Sequence, residues 1–322
     1  MGVPVSAPPS TGLALVAGSM AGLLFLLPRF AASAPFLAFP LSLAGLFAAT
    51  PILLVRLSGR LSHAFLALIT ASLVISVIDS PEIALSFVVL FGAWALVAGE
   101  VMSRRKSVIA GCAAGFAILA IEALAVVLVS GTAPMEETLQ TPQVQKAFSD
   151  WSTQAAIEPA EAKAAIEQIR AGILTLYPAL SVISAACIVV LNAVALGRLV
   201  GRSGATGYPR HELLLLRWPW ALVIAFIGSG ALLLAPSFHA VAWNGLAVTF
   251  FLFLLQGLSV LAFLASRLFS SDLMRAALLL ASLLGPWALL LSLLGLFDQW
   301  FDFRGRYLSP GPKAAPPSEN LQ

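Results

Sequence analysis

The chain has 322 residues, of which 60% are hydrophobic and only 10% are charged, and its formal net charge is +3. Its mean hydropathy is +0.96. A soluble domain has about a quarter of its residues charged, so this composition excludes a water-covered exterior and predicts that lipid covers much of the molecule. The basic residues lie in short clusters between apolar runs, a pattern that membrane topology explains and that does not indicate nucleic-acid binding.

Nine apolar stretches are candidates for helices of about 20 residues that cross a bilayer. They lie at 11–27, 35–55, 62–79, 83–102, 107–130, 171–197, 215–235, 240–266 and 273–297. Within a bilayer the backbone has to satisfy its own hydrogen bonds, so the predicted fold class is all-α, a polytopic transmembrane bundle of about nine spans. A count of eight or ten stays open, because Gly285-Pro286 can break the last stretch into a re-entrant pair.

One long polar stretch separates two groups of spans. Residues 1–130 hold five predicted spans and residues 171–304 hold four. Residues 131–170 are predicted to form an extramembrane amphipathic helical cap, and residues 305–322 a disordered tail.

The distribution of Lys and Arg predicts the orientation. With the amino terminus inside, the loops at 56–61, 103–106, 198–214 and 267–272 are cytoplasmic. Together with Arg217 and Arg275, which lie just beyond two of them, they contain 11 of the 18 basic residues. Positive residues favour the cytoplasmic side, so the sequence predicts this orientation and an external cap. The basic tail after residue 304 would then lie outside, so the side of the carboxyl terminus is left open.

The cap has the pattern of two helices. Val144, Phe148 and Trp151 recur at i, i+4 and i+7, which places them on one helical face. Pro159 suits the first turn of a second helix that continues into the sixth span, with Glu161 near its positive end. Two interpretations stay open: a connector whose apolar side rests on lipid headgroups, and a lid over a cavity.

Polar side chains inside the apolar stretches are the candidate functional residues, because burying them in lipid is costly. Glu122 lies well inside the fifth span, where a carboxyl is expected to be neutral or paired with a donor from another helix. Gln256 and Asn244 share one face of the eighth span, and Asn192 lies in the sixth. Such amides can line a solute site or can bridge helices. Glu100 is expected to reach the basic membrane interface.

No enzyme, cofactor or metal signature is present. The chain has no phosphate-binding loop of the G-x-x-x-x-G-K-[ST] type, no H-E-x-x-H and no G-x-S-x-G, so we expect no catalytic residue and no bound nucleotide. Cys112 and Cys187 both lie in apolar runs, and His63, His211 and His239 are far apart. This spacing does not fit a disulfide framework or a zinc site.

Small residues predict close helix packing. Gly18 and Gly22 form one G-x-x-x-G motif and Gly111 and Gly115 form another, while Gly228-Ser229-Gly230 makes a third narrow surface. Because this motif is common in apolar helices, we assign it to packing within the chain before dimerisation.

Several short motifs resemble a known family. They are Tyr177-Pro178, Arg217-Trp218-Pro219-Trp220, Asn244, Leu255-Gln256-Gly257-Leu258-Ser259-Val260, Gly295-Leu296-Phe297-Asp298 and Phe303-Arg304. In these motifs the chain is similar to the YybS-like family of bacterial multi-pass membrane proteins, for which no activity is established. The resemblance implies a bacterial inner-membrane location and a distant similarity to the substrate-binding subunits of energy-coupling-factor vitamin transporters.

Two functional hypotheses follow. The leading one is a component that binds or transports a small solute, with Glu122, Asn192, Asn244 and Gln256 as its polar intramembrane site. It would have no ATPase of its own, so its energy would come from a gradient or from a separate energising protein. The alternative is a non-transporting scaffold that binds other envelope proteins through the cap. A solute site requires the polar side chains to converge on one cavity, whereas a scaffold allows each to be paired separately between helices.

Overall fold

The computed structural model describes residues 10–30, 38–154, 158–202 and 212–308. No strand occurs among them, so the predicted all-α class is confirmed. The chain divides into two compact units: unit 1 ends at Glu212 and unit 2 begins at Leu213. The predicted tail lies, from residue 309 onwards, outside the described residues. The predicted domain limits at residues 130 and 170 stay a prediction.

Unit 1 contains the first five predicted spans, the cap and the sixth span. Its described helices are α1 (Thr11–Phe30), α2 (Ala38–Gly45), α3 (Thr50–Ser58), α4 (Leu61–Ile78), α5 (Pro81–Phe87), α6 (Trp94–Arg105), α7 (Val108–Ser130), α8 (Ala133–Leu139), α9 (Pro142–Gln154) and α10 (Pro159–Arg202), with a π-helix at Val88–Ala93 between α5 and α6. Pro51 and Pro81 lie in the first turns of α3 and α5. Ser80 and Ser107 begin α5 and α7 by accepting a backbone N–H.

Glycines bring α1 against α4. A Cβ on Gly18 would lie 2.3 Å from the Ala67 carbonyl oxygen, and a Cβ on Gly22 would lie 2.9 Å from the Ala71 carbonyl oxygen. Only glycine allows the two backbones to approach this closely. The first G-x-x-x-G motif is therefore used inside the chain, as predicted.

The second motif brings α7 against α6 in the same way. A Cβ on Gly111 would lie 2.0 Å from Cγ of Met102, and a Cβ on Gly115 would lie 2.9 Å from the Trp94 ring. The prediction of packing within the chain is confirmed here too.

In unit 1, the carboxyl-terminal ends of the first and third predicted spans lie together, and so do those of the second and fourth. Arg29, at the end of α1, forms an ion pair with Asp79, which follows α4. Arg56, near the end of α3, donates from Nε to Glu100 Oε2 of α6 at 2.7 Å, and Glu100 also pairs with Arg104. This agrees with the predicted alternation of the spans, while the choice of the cytoplasmic face stays a prediction.

The described part of the cap between α7 and α10 is mostly helical. α8 and α9 lie in it, and no residue of α9 is buried. The second predicted helix begins at Pro159, as expected, and continues through Pro178 to Arg202 as one helix of 44 residues.

Unit 2 contains α11 (Trp220–Leu232), α12 (His239–Leu268), α13 (Asp272–Ser282), α14 (Trp287–Phe301) and α15 (Gly305–Leu308). The break considered at Gly285-Pro286 is present: α13 and α14 are bent by 100° relative to each other. Gly285 has a φ of +60°, a conformation that residues with a side chain seldom adopt. The third narrow surface differs from the first two, because a Cβ on Gly228 or Gly230 would have nothing within 4 Å.

The number of candidate spans is close to the predicted nine, and eight is one of the counts that the sequence left open. Seven helical stretches of the described residues are long and apolar enough to cross a membrane, or eight if α13 and α14 together form one span. The difference lies at 215–235, where α11 has only 13 residues. A helix of that length covers about 20 Å, which is less than the hydrocarbon thickness of about 30 Å.

Candidate functional site

Asn192 of α10 lies at a break in the second predicted span. The break comprises the turn residues 46–49 between α2 and α3. Asn192 is fully buried, donates from Nδ2 to the carbonyl oxygens of Leu46 and Ile188, both at 2.8 Å, and accepts from Thr50 Oγ1 at 2.8 Å. The two amide hydrogens and the amide oxygen are therefore all used.

The local sequence explains why Leu46 needs this partner. Pro51 begins α3, and the residues before it form bonds of the i to i+3 type, in which Thr50 N donates to the Phe47 carbonyl oxygen. Thr50 N is the group that would bond Leu46 in an α-helix, so the Leu46 carbonyl is left without its helical partner. Asn192 replaces that partner.

Gln256 of α12 belongs to a different polar cluster, in unit 2. Its Oε1 accepts from the backbone N of Trp218 at 3.0 Å and from Gln299 Nε2 at 3.1 Å, and its Nε2 donates to Asp298 Oδ2 at 3.0 Å. Gln256 and Asp298 are fully buried, and Gln299 is 2% exposed. Gln256 lies about 26 Å from the start of α12 and about 18 Å from its end, so the cluster is far from both ends of this helix.

A buried ion pair lies at the centre of the cluster. Arg304 is 4% exposed, and its Nη2 lies 2.6 Å from Asp298 Oδ2. Asp298 Oδ1 also accepts from the backbone N of Phe303 at 3.1 Å. Transferring two charges from water is costly, and geometry with several additional hydrogen bonds is what offsets the cost.

The cluster satisfies the backbone that precedes α11, which is a 3₁₀ helix at Glu212–Leu215 followed by the loop residues 216–219. Arg304 Nη1 donates to the Leu214 carbonyl oxygen and Nη2 to the Leu216 carbonyl oxygen, both at 2.9 Å. Gln299 Nε2 donates to the Trp218 carbonyl oxygen at 2.9 Å, and Ser259 Oγ donates to that of Leu213 at 2.8 Å. Non-helical backbone at membrane depth is tolerated where protein groups replace water in this way.

Two glycines bring α12 and α14 close enough for these contacts. A Cβ on Gly257 would lie 1.9 Å from the Leu291 carbonyl oxygen, and a Cβ on Gly295 would lie 2.0 Å from that of Phe253. Each glycine is close in sequence to a member of the cluster, Gly257 to Gln256 and Gly295 to Asp298. The glycines therefore set the helix separation that the Gln256–Asp298 hydrogen bond requires.

The other two candidate residues do not share these contacts. Asn244 donates from Nδ2 to the Ala240 carbonyl oxygen of its own helix at 2.7 Å. Glu122 of α7 is partly exposed, and its Oε2 is buried with no hydrogen-bond partner among the described residues. The assignment of Glu122, Asn192, Asn244 and Gln256 to a solute site stays a prediction.

Sequence reasoning did not propose Asp298, Gln299, Arg304 or Ser259 as site residues. A signal was available, because an acidic residue at the end of an apolar helix is followed six positions later by an arginine. Both residues were noted only in the motifs of the family resemblance, because the predicted span ended at residue 297 and left both charges outside the membrane. Pro219 is the N-cap of α11, and the Trp218 indole donates to the Leu252 carbonyl oxygen at 2.7 Å.

Helices of spanning length, polar groups bonded to one another inside them, and non-helical backbone that side chains satisfy define a multi-pass α-helical membrane protein. The family model described as predicted membrane protein (DUF2232) matches residues 22–299, which is most of the chain. The protein belongs to this family. Comparisons with curated proteins and with solved structures found no match.

Proposed function

We propose that this protein is a non-catalytic scaffold of the membrane, which binds other envelope proteins through its cap. One observation supports the proposal: the side-chain amides of Asn192 and Gln256 form hydrogen bonds with the backbone and side chains of the same chain. If a solute bonded to either amide, the protein groups that this amide now bonds would be left buried and unpaired. This costs about 1–3 kcal/mol for each group. This is the pattern expected of residues that hold helices together.

The cap offers a suitable docking surface. Residues 131–170 contain more acidic than basic side chains, and Glu137, Glu158 and Glu167 are exposed. An exposed acidic surface favours a partner with complementary positive charge, because such charges speed encounter and suppress incorrect partners.

The proposal includes a location and an orientation. The protein lies in the cytoplasmic membrane of a bacterium with its amino terminus inside and its cap outside, as the basic loops favour. In a background without Cys112 and Cys187, a single cysteine placed in the cap should react with a membrane-impermeant reagent in intact cells. Labelling only after the inner face has been exposed would reverse the orientation.

A second candidate function is movement of a small solute, energised by a separate protein. One observation favours it: Glu122 Oε2 is buried and has no hydrogen-bond partner among the described residues. The same function is what the resemblance to the YybS-like family implies. A carboxyl in that position could couple solute movement to a proton.

Complementation of a deletion strain separates the two functions. The test variant replaces Glu137, Glu158 and Glu167 with Gln, which removes negative charge from the cap and leaves the spans intact. The control variant replaces the exposed, uncharged Gln140, Gln143 and Gln154 with Ala. We expect the charge variant to insert normally and to lose complementation and its cross-linked partners, while the control keeps both.

The opposite result would support transport. In that case the charge variant complements like the parent, and Glu122→Gln, which keeps the shape but cannot ionise, abolishes complementation at normal protein level.

A further inference from the structure

The cap helix α9 has an apolar face that protein covers incompletely. Val144 and Phe148 are half-buried and Trp151 is 40% exposed, and the helical spacing places all three on one face. Lys146 and Asp150 are exposed and lie on the opposite face. A helix with this division of residues requires an apolar environment on one side only.

The position of α9 in the chain indicates which environment is available. α9 belongs to the connection between two helices of spanning length, α7 and α10. Consecutive spans cross in opposite directions, so this connection begins and ends at one membrane surface.

The corner between α8 and α9 keeps α9 near that surface. α8 has 7 residues, a length of about 10 Å, and follows α7 closely. The Gln145 side chain donates from Nε2 to the Leu139 carbonyl oxygen at 2.7 Å, which fixes the start of α9 to the end of α8. The start of α9 is therefore held close to the end of a spanning helix.

We propose that α9 lies in the headgroup region of the bilayer, parallel to the surface, with Val144, Phe148 and Trp151 inserted. Tryptophan and aliphatic side chains are the residues that favour this region. The charges of Lys146 and Asp150 in α9 cancel, and the rest of the cap contains the exposed Glu137, Glu158 and Glu167. Insertion is therefore driven by burial of the apolar face and does not depend on anionic lipid.

Site-directed spin labelling tests this placement. The full-length chain, with Cys112 and Cys187 replaced by Ala, carries one nitroxide at a time at positions 144, 146, 148, 150, 151 and 153, and is reconstituted in phosphatidylcholine nanodiscs. Oxygen concentrates in lipid and a water-soluble nickel complex in water. We expect high oxygen and low nickel accessibility at 144, 148 and 151 and the reverse at 146, 150 and 153, with the period of an α-helix. Discs that also contain phosphatidylglycerol should give the same pattern.

Three results would overturn the proposal. Equal nickel accessibility at all six positions would place α9 in water. Low accessibility to both reagents at 144, 148 and 151 would mean that protein covers the face, as in a lid. A pattern present only with phosphatidylglycerol would show that charge drives the association. Co-elution of each labelled chain with its nanodisc and a helical circular dichroism spectrum like that of the parent show that the chain is folded and inserted.

Discussion

Both units contain a predicted span that is interrupted by non-helical residues, and the two units stabilise the interruption differently. In unit 1 most backbone groups of the turn at 46–49 form hydrogen bonds of the i to i+3 type. The Leu46 carbonyl lacks such a bond and accepts one from the neutral side-chain amide of Asn192. In unit 2 several backbone groups before α11 have no helical hydrogen bond. They bond instead to the side chains of a buried cluster, which contains the Asp298–Arg304 ion pair and two glutamines. The more backbone groups an interruption leaves without helical hydrogen bonds, the more polar side chains the protein therefore has to bury next to it.

The largest effect is expected at the ion pair of unit 2. Asp298→Ala leaves Arg304 as a buried cation without its partner, and removal of one member of such a pair costs about 3–5 kcal/mol. Thermal or denaturant unfolding in detergent measures the change. Asp272→Ala is the control, because its side chain is 95% exposed and its pair with Arg275 lies at the surface. Equal effects of the two substitutions would mean that the buried pair does not stabilise unit 2.

The next largest effect is expected where α12 crosses α14. Gly257→Ala places a methyl group against a backbone carbonyl that cannot move alone, so the helices have to separate, at about 2–3 kcal/mol. Gly228→Ala is the matched control, because a Cβ there meets nothing within 4 Å. The control should unfold like the parent or be up to about 1 kcal/mol more stable, as alanine favours helix. A tolerated Gly257→Ala would contradict the close crossing.

Sequence reasoning predicted the parts of this fold that depend on local patterns. Hydropathy gave the long helices, the G-x-x-x-G motifs of α1 and α7 were assigned correctly to packing within the chain, and the break at Gly285-Pro286 was considered. The stretch at 215–235 was predicted as an uninterrupted span, because its apolar composition is the same whether the backbone is helical or extended.

The polar cluster could not be predicted for a different reason. Its partners are distant in sequence: Arg304 bonds a carbonyl 90 positions earlier, and Gln256 bonds an amide 38 positions earlier. Gln256 itself was identified, because an amide inside an apolar stretch is visible in one sequence. The break at Gly285-Pro286 was visible in the sequence, but where Asp298 and Arg304 lie also depends on the close crossing of α14 with α12, whose contacts join residues far apart in the chain.

A smaller effect is expected at the interruption in unit 1. Asn192→Leu leaves the Leu46 carbonyl and the Thr50 hydroxyl without their partner, and interhelical hydrogen bonds of this kind contribute about 1–2 kcal/mol in total. A double-mutant cycle with Thr50→Val isolates their shared bond, for which we expect a coupling of about 0.6 kcal/mol. A loss as large as that of Asp298→Ala would remove the difference between the two units.

The smallest effect is expected at Glu122. Its Oε2 has no partner among the described residues, so Glu122→Gln should change the free energy of unfolding by less than about 0.5 kcal/mol. Unfolding of the purified variant beside Asn192→Leu provides the comparison. A clear loss of stability would show that the carboxyl is bonded in the membrane in a way that the amide cannot reproduce.

The distance in sequence between the cluster's members has a consequence for how the protein is made. The backbone at 213–218 leaves the ribosome long before Arg304, which supplies two of its hydrogen bonds. Gln256 and Ser259 of α12 can bond Trp218 N and the Leu213 carbonyl earlier. Until residues 299–304 have been synthesised, however, the carbonyls of Leu214, Leu216 and Trp218 have only water or the insertion machinery to bond with. We therefore expect nascent chains that stop before residue 298 to keep residues 213–218 accessible to a water-soluble cysteine reagent, and chains released after residue 308 to protect them.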